Sequence, residues 1–202
     1  MLRPAGAKTG DSQALQTFLG SLKDLHVQAR VAKTEAEASE AIRAVLSGAK
    51  ARSVVVAGIP MTYRGLVRSA VAGTNTTFVE DLQGKPKDQV LATLAAADAG
   101  ITWAVNGLAA EGAMLEVVYD DSFKLASSLP IVHLAMLESS SILPGLPDAL
   151  PMVGDIVAKA PAGRKPIVSF ISGPSKTGDI EMRLLYGVHG PHTVHALVLD
   201  WR

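Results

Sequence analysis

Three apolar runs limit what this chain can fold into more than any other feature. They are "SVVVAG" (53–58), "IVHLAMLE" (131–138) and "KPIVSFISG" (165–173). Each is of strand length, and the first is a nearly unbroken β-branched stretch. A strand buried on both faces reads this way, and such strands belong to parallel sheets covered by other layers. A fourth run, "TVHALVLD" (193–200), and a short one, "TTFVE", read as further strands.

Between these runs the apolar period lengthens to that of a helix. "SQALQTFLGSLKDL" sets Leu15, Phe18, Leu19, Leu22 and Leu25 on one face. "TEAEASEAIRAVLSG" opens with Thr34 and Glu37 at capping-box spacing and stops at Gly48. "IPMTYRGLVRSAVAG" is a loop and helix, and "PKDQVLATLAAAD" starts with proline and an acidic first turn. "GITWAVNGLAAEGAMLEVVY" reads as two strands around a glycine-containing turn. "LPGLPDALPMVGDIVAKA" is proline-punctuated and then helical, and "GDIEMRLLYG" (178–187) reads as a short helix. Strands alternating with helices predict an α/β fold with a mostly parallel sheet covered on both faces. The expected organisation is a flexible tail over 1–10 and a single α/β domain over 11–202, with no repeat or linker.

Composition narrows the function classes. Charged residues make up 19% of the chain, below the roughly 25% usual in soluble domains. That deficit points to a possible homo-oligomer. Basic and acidic residues balance at 19 each, which leaves no electrostatic footprint for nucleic acid or an anionic membrane. The chain contains no cysteine, so it supplies no disulfide, no thiolate ligand and no cysteine nucleophile. "MLRPAGAKTGDSQ" has no apolar core of a signal peptide, which gives a cytoplasmic expectation. The most apolar long stretch, 90–110, carries Asp98 near its centre. Inserting that charge costs about 2.5–3.5 kcal/mol, so no membrane span is expected.

The polar chemistry concentrates in "SGPSKTGDIEMRLLYGVHGPH" (172–192). As a loop after a strand, it is expected at the carboxyl end of the sheet, where open α/β sheets bind ligands. Backbone N–H groups, the hydroxyls of Ser172, Ser175 and Thr177, and the Lys176 ammonium can converge on a phosphate or carboxylate. The Walker A spacing is absent. The plainer reading is a capped helix start, with Thr177 as the cap, Asp179 and Glu181 complementing the dipole, and Asp179 paired to Arg183. His189, His192 and His195 recur every third residue. His195 already belongs to the last strand, so no metal site is expected. A histidine meeting Asp179 or Glu181 for proton transfer is the more modest role.

"SGPSKTGDIE" (172–181), "GVHGP" (187–191), His195 and the terminal "LVLD" resemble the LUD-domain family, that of LutC/YkgG-like lactate utilisation protein C. The similarity runs roughly from Ala99 to Asp200 and includes "SLPIVHLAMLE". One turn departs from the family pattern. Ala109-Ala110-Glu111-Gly112-Ala113 stands where the family has A-[DE]-T-G-[ST], so the acid has moved by one place and both hydroxyls are gone.

The resemblance implies a three-layer, Rossmann-like domain of the NagB/RpiA/CoA-transferase-like kind. It also implies a cytoplasmic protein that works with iron–sulfur partner proteins in oxidising lactate to pyruvate. The clusters would lie on the partners, since this chain has no cysteine and needs no cofactor of its own. The expected role is an accessory protein binding a small anionic ligand or a partner. Its ligand-binding residues would be Gly112, Ser172, Gly173, Ser175, Lys176, Thr177, Asp179, Glu181 and His189. The alternative is a stand-alone enzyme acting on a sugar phosphate, folate or acyl-CoA. Glu111, Asp179 and His189 are then the catalytic candidates, with Lys176 binding phosphate. The G-x-G-x-x-G fingerprint of dinucleotide enzymes is absent.

Overall fold

The computed structural model describes residues 12–178, 184–186 and 189–201. The expected tail over 1–10 lies outside them. The described residues include a six-stranded, wholly parallel sheet. Its strands are β1 (Gln28–Ala32), β2 (Ser53–Ala57), β3 (Asn75–Phe78), β4 (Ala99–Trp103), β7 (Val132–Glu138) and β12 (Thr193–Leu199), in the order β1-β12-β7-β4-β2-β3. A four-stranded mixed sheet packs beside it. This sheet contains β5 (Asn106–Leu108), β6 (Ala113–Val118), β8 (Ile142–Leu143) and β9 (Ile167–Ile171), in the order β8-β5-β6-β9. The mostly parallel α/β architecture expected from the alternation is the one observed.

Strand periodicity assigns the two faces of the parallel sheet. Val54, Val56, Leu134, Met136, Leu197 and Leu199 point to one side. There they meet helices α2 (Glu35–Gly48) and α3 (Met61–Ala70), through Ile42, Val45, Tyr63 and Val67. The alternate residues point to the other side. Ala135, Leu137, Val194 and Val198 meet Phe18 and Leu22 of helix α1 (Ser12–Asp24), together with Met114 of β6. Val55 and Ala57 meet Leu94 of α4 (Lys87–Ala95) and Ala126 of α5 (Asp121–Ser128). The second face is therefore covered partly by helices and partly by the smaller sheet.

Local chemistry sets several boundaries. The Glu37 N–H donates to Thr34 Oγ1 at 3.1 Å, as the spacing predicts. The Glu37 carboxylate accepts from the Lys33 N–H at 2.7 Å, one residue before the expected partner. Pro86 precedes the first turn of α4, and Asp120 caps α5 by accepting from the Ser122 N–H at 2.8 Å.

Four sequence expectations need correction or completion. The run 100–119 makes three strands rather than two. After Trp103 the chain leaves the parallel sheet, and β5 pairs antiparallel with β6. Among the described residues, β9 pairs only with β6, antiparallel, at the edge of the smaller sheet. Its Phe170 is 45% exposed, which a strand buried on both faces would not allow. The helix expected over 178–187 is not formed at its ends. β10 (Lys176–Gly178) pairs antiparallel with β11 (Leu184–Tyr186). Finally, β1, α5 and the two-residue β8 carry too little periodic apolar signal to be read from the sequence.

Candidate functional site

Three of the segments singled out in the sequence meet around the end of α1. Gly112, in the turn between β5 and β6, has φ +58°, and a Cβ there would lie 2.8 Å from the Ser21 backbone and 2.9 Å from the Leu25 side chain. Gly173 has φ +135°, and its Cβ would lie 2.8 Å from the Leu25 carbonyl oxygen. Both positions combine a left-handed backbone with a close approach, so both require glycine. Lys176 Nζ reaches the same Leu25 carbonyl at 3.5 Å. The second loop closes onto the first. The Ser175 N–H donates to the Pro191 carbonyl at 3.0 Å, and the His189 N–H donates to Ser175 Oγ at 3.3 Å. Ser172, Lys176 and His189 are exposed.

This cluster lies at the amino edge of the parallel sheet, contrary to expectation. The Leu25 end of α1 precedes β1, and the His192 N–H donates to the Ile131 carbonyl at the start of β7. The carboxyl end of β9 arrives here because β9 belongs to the smaller sheet and runs antiparallel to β6. The argument from carboxyl ends of parallel strands therefore does not apply to this loop. Glu111 is exposed, and its Oε1 accepts from the Leu146 N–H at 3.0 Å, at the first turn of α6 (Leu146–Ala158). Asp179 and Glu181 lie outside the described residues, as does the Arg183 partner, and Thr177 is described through its backbone alone. His195 sits in β12, where burial and then the Arg30 charge push its pKa down to about 4.

The carboxyl edge holds a different arrangement. β2 has β3 on one side and β4 on the other, although β4 follows β3 in the chain. The strand order thus reverses between β2 and β4, and crevices at such switch points are where open α/β sheets take ligands. A cavity of ≈ 80 Å³ occupies this point, lined by Ala57, Gly58, Thr102, Trp103, Glu116 and Phe123 among others.

Behind it lies a buried polar chain. Thr102, Glu116 and His133 are 3%, 1% and 0% exposed. The Thr102 hydroxyl donates to Glu116 Oε1 in a short hydrogen bond. Its one proton is thereby committed, so His133 Nε2, 2.8 Å from the same oxygen, is the donor to Thr102. His133 Nε2 also lies 3.6 Å from Glu116 Oε1. Burial pushes the Glu116 pKa up, but His133, Thr102 and Ser127 together outweigh it, and the carboxyl is held below its ordinary value. Ser127 Oγ also lies 2.9 Å from the Lys124 carbonyl. Among the described residues, Glu116 Oε2 and His133 Nδ1 have no partner in hydrogen-bond geometry.

Gly100 makes this arrangement possible. A Cβ there would meet the Ala126 carbonyl oxygen at 1.9 Å, so its absence lets α5 lie directly on β4. Among the described residues, no group of three or more His, Cys, Asp or Glu side chains is placed to hold a metal ion. Nor is any helix among them long and apolar enough to cross a membrane.

Residues 15–199 match the LUD domain family model. The chain belongs to the LUD domain family. This LUD domain is 35% identical over 116 residues to lactate utilization protein C 1 of Bacillus mycoides (strain KBAB4), a match covering 56% of this chain and 48% of that protein. It is 34% identical over 105 residues to lactate utilization protein C of Bacillus subtilis (strain 168), covering 52% and 43%. It spans about half the length of the curated relatives it matches. The crystal structure of a DUF162 family protein from Deinococcus radiodurans has the same fold, with TM-score 0.64 and 20% identity over 97% of this chain and 99% of that one.

Sequence reading missed the Thr102–Glu116–His133 chain of the LUD domain. Its members sit on three strands, 14 and 31 residues from Thr102. The available signal was Glu116 inside the apolar strand "AMLEVV", since a charge in such a run needs a buried partner.

Proposed function

We propose that this LUD domain serves lactate utilisation in the cytoplasm as an accessory protein, working with iron–sulfur partner proteins that oxidise lactate to pyruvate. The 172–181 loop is its contact point for a small anionic ligand or for a partner. The relatives that bear the name lactate utilization protein C support the process. A chain without cysteine leaves the iron–sulfur clusters to the partners.

One observation carries the assignment to the loop. The two hydrogen bonds between Ser175 and the 189–191 turn bring together the two stretches that most resemble the family, which stand 14 residues apart in the chain. The result is an exposed surface that offers the Lys176 ammonium, hydroxyls and the His189 ring around glycine-rich backbone.

The test has two parts. The purified chain is mixed with iron–sulfur partners from a lactate-oxidising system, and lactate-dependent pyruvate formation is measured with and without it. A requirement for the chain, reduced by Lys176→Ala, is the expected result. Turnover by the chain alone, or indifference to its presence, overturns the accessory role. Thermal shifts with lactate, pyruvate and phosphate then separate ligand from partner. A ligand at 100 times its Kd stabilises the native state by about 2.7 kcal/mol.

A further inference from the structure

The edge strands of the two larger sheets differ in how they are guarded. A sheet edge presents unpaired N–H and C=O groups, and proteins usually blunt it with charge, proline, a bulge or brevity. β1 carries exposed Gln28 and Arg30, β3 is the short polar run "NTTF", and β8 has only two residues. β9 has none of these devices. It reads "IVSFI", with no charge and no proline, and its register with β6 is regular from Ile167 to Ile171, with no bulge to turn the edge away. None of its residues is buried, and Phe170 is 45% exposed. Among the described residues, no strand pairs with its other side.

The order of residues in β9 says what fits this edge. By residue class it reads alike in both directions: isoleucine at each end, Val168 and Phe170 inside them, and Ser169 at the centre. Paired antiparallel with itself about Ser169, it sets Ile167 opposite Ile171 of the partner subunit and Val168 opposite Phe170 of the partner subunit. Each row then continues a face that the chain already has. Val168 and Phe170 stand across from Val117 and Leu115, on the face that α6 covers, while Ile171 stands across from Met114 on the other. No like charges oppose each other, since Lys165 falls across from Gly173 of the partner subunit. Acidic and basic residues balance at 19 each, so no net charge holds two copies apart. A two-fold contact needs a surface complementary to itself, and this strand is one.

We propose that β9 is the contact through which two copies of this chain form a two-fold homodimer, joining their four-stranded sheets into one continuous sheet. The pairing is antiparallel with Ser169 at the two-fold axis. It uses none of residues 172–181, so it stands apart from the loop reading above. It sends the two loops to opposite ends of the shared ladder, about 17 Å apart or more at the strand rise, and one dimer thus offers two separate recognition surfaces.

Sedimentation velocity of the full chain over a range of concentrations reads the assembly state. A concentration-dependent dimer is expected, and a monomer throughout overturns the proposal. Phe170→Lys puts on the edge the kind of charge that guards other edges. It should leave a monomer with the wild-type melting temperature, and a dimer that persists in this variant overturns the proposal. The chain has no cysteine, so single introduced thiols report the register. Directly opposed residues of an antiparallel pair have Cα atoms about 4.5–5.5 Å apart, within disulfide reach. With diamide as oxidant, Ser169→Cys should therefore give a covalent dimer. Two Phe170→Cys thiols would sit a diagonal apart, about 7–8 Å, and should remain unlinked. Equal linkage at the two positions, or none at Ser169→Cys, overturns the proposal. Should Phe170→Lys fail to fold, the two thiol variants decide the matter alone.

Discussion

The amino edge of the parallel sheet and the interior carry polar groups of opposite kinds. At the amino edge the groups are exposed, come from a few consecutive residues and rest on backbone. Lys176 and Gly173 sit on the Leu25 carbonyl, and Ser175 is tied to the 189–191 turn. In the interior, from Thr102 near the carboxyl end of β4 to His133 near the amino end of β7, the groups are buried, come one from each strand, and are held by one another. A site of the first kind is written in the sequence as a motif. A site of the second kind is written as isolated polar letters in apolar strands, and only the fold assembles it. The energetic consequences differ as well. Substitution in the interior should destabilise the chain, whereas substitution at the amino edge should change what the chain recognises.

The largest effect is expected from His133→Ala. It leaves the Glu116 carboxylate buried without its imidazole partner. Breaking a buried pair on one side costs about 3–5 kcal/mol, read as a lower urea midpoint. The double change Glu116→Met with His133→Leu should restore stability to the wild-type value or above, because apolar replacements of a whole buried pair are often neutral or stabilising. If His133→Ala costs under about 1 kcal/mol, as for an exposed pair, the contrast between the interior and the amino edge fails.

Gly100→Ala comes next. The added methyl meets the Ala126 backbone oxygen at 1.9 Å, so α5 itself must shift. Overpacking of this kind costs about 1–3 kcal/mol. The effect should be accompanied by loss of the Ser127 and Thr102 signals from their wild-type positions in NMR spectra, since α5 carries Ser127.

Titration separates His195 from the carboxyls by pH window. His195 has its pKa lowered to about 4, from an ordinary 6.5. The unfolded chain therefore takes up a proton between those values that the folded chain refuses, and stability falls as pH drops from about 6.5 to 4. Asp98 and Glu116 have lowered pKa values for different reasons. The Ser53 and Arg52 backbone N–H groups, each 2.8 Å away, hold Asp98 charged, and His133 is the main group holding Glu116 charged against its burial. A depressed carboxyl stabilises the fold above its unfolded pKa and loses that contribution as pH falls through its folded one. Their losses thus fall below about pH 4. His195→Gln should flatten the stability profile between pH 6.5 and 4 and leave the more acidic limb unchanged. An unchanged upper limb would show that His195 is not the group titrating there.

These contrasts also explain what was readable. The central strands β2, β7 and β12 were legible because burial on both faces admits almost no polar residue, as Val54–Val56 show. The start of α2 was legible because Thr34 and Glu37 cap it with local bonds. β1 was not, because "QARVA" is an edge strand whose first residues are exposed or half-buried. The paired ends 176–178 and 184–186 were read as parts of a helix because Gly178 and the acidic residues imitate a capped start, while cross-strand pairing of Lys176 with Tyr186 has no local signature. Glu116, Thr102 and His133 were invisible as a group because nothing in their spacing links them.

The smallest stability effect, and the largest change in recognition, is expected from Lys176→Ala. Lys176 is exposed, and its contact with the Leu25 carbonyl is long at 3.5 Å. Surface substitutions of this kind fall within about 0.5 kcal/mol, so the melting temperature should hold. A charge-assisted hydrogen bond from the ammonium to a bound anion is worth about 1.5–3 kcal/mol, which is roughly ten- to a hundred-fold in affinity. Thermal-shift titration with phosphate, lactate and pyruvate on both proteins reads the two quantities at once. A lowered melting temperature without ligand would place Lys176 among the groups that hold the loop on Leu25, and unchanged anion shifts would assign the 172–181 loop to scaffolding. Reduced shifts at constant stability would leave the amino edge as the surface that recognises and the Thr102–Glu116–His133 chain as the interior that is built around a buried charge.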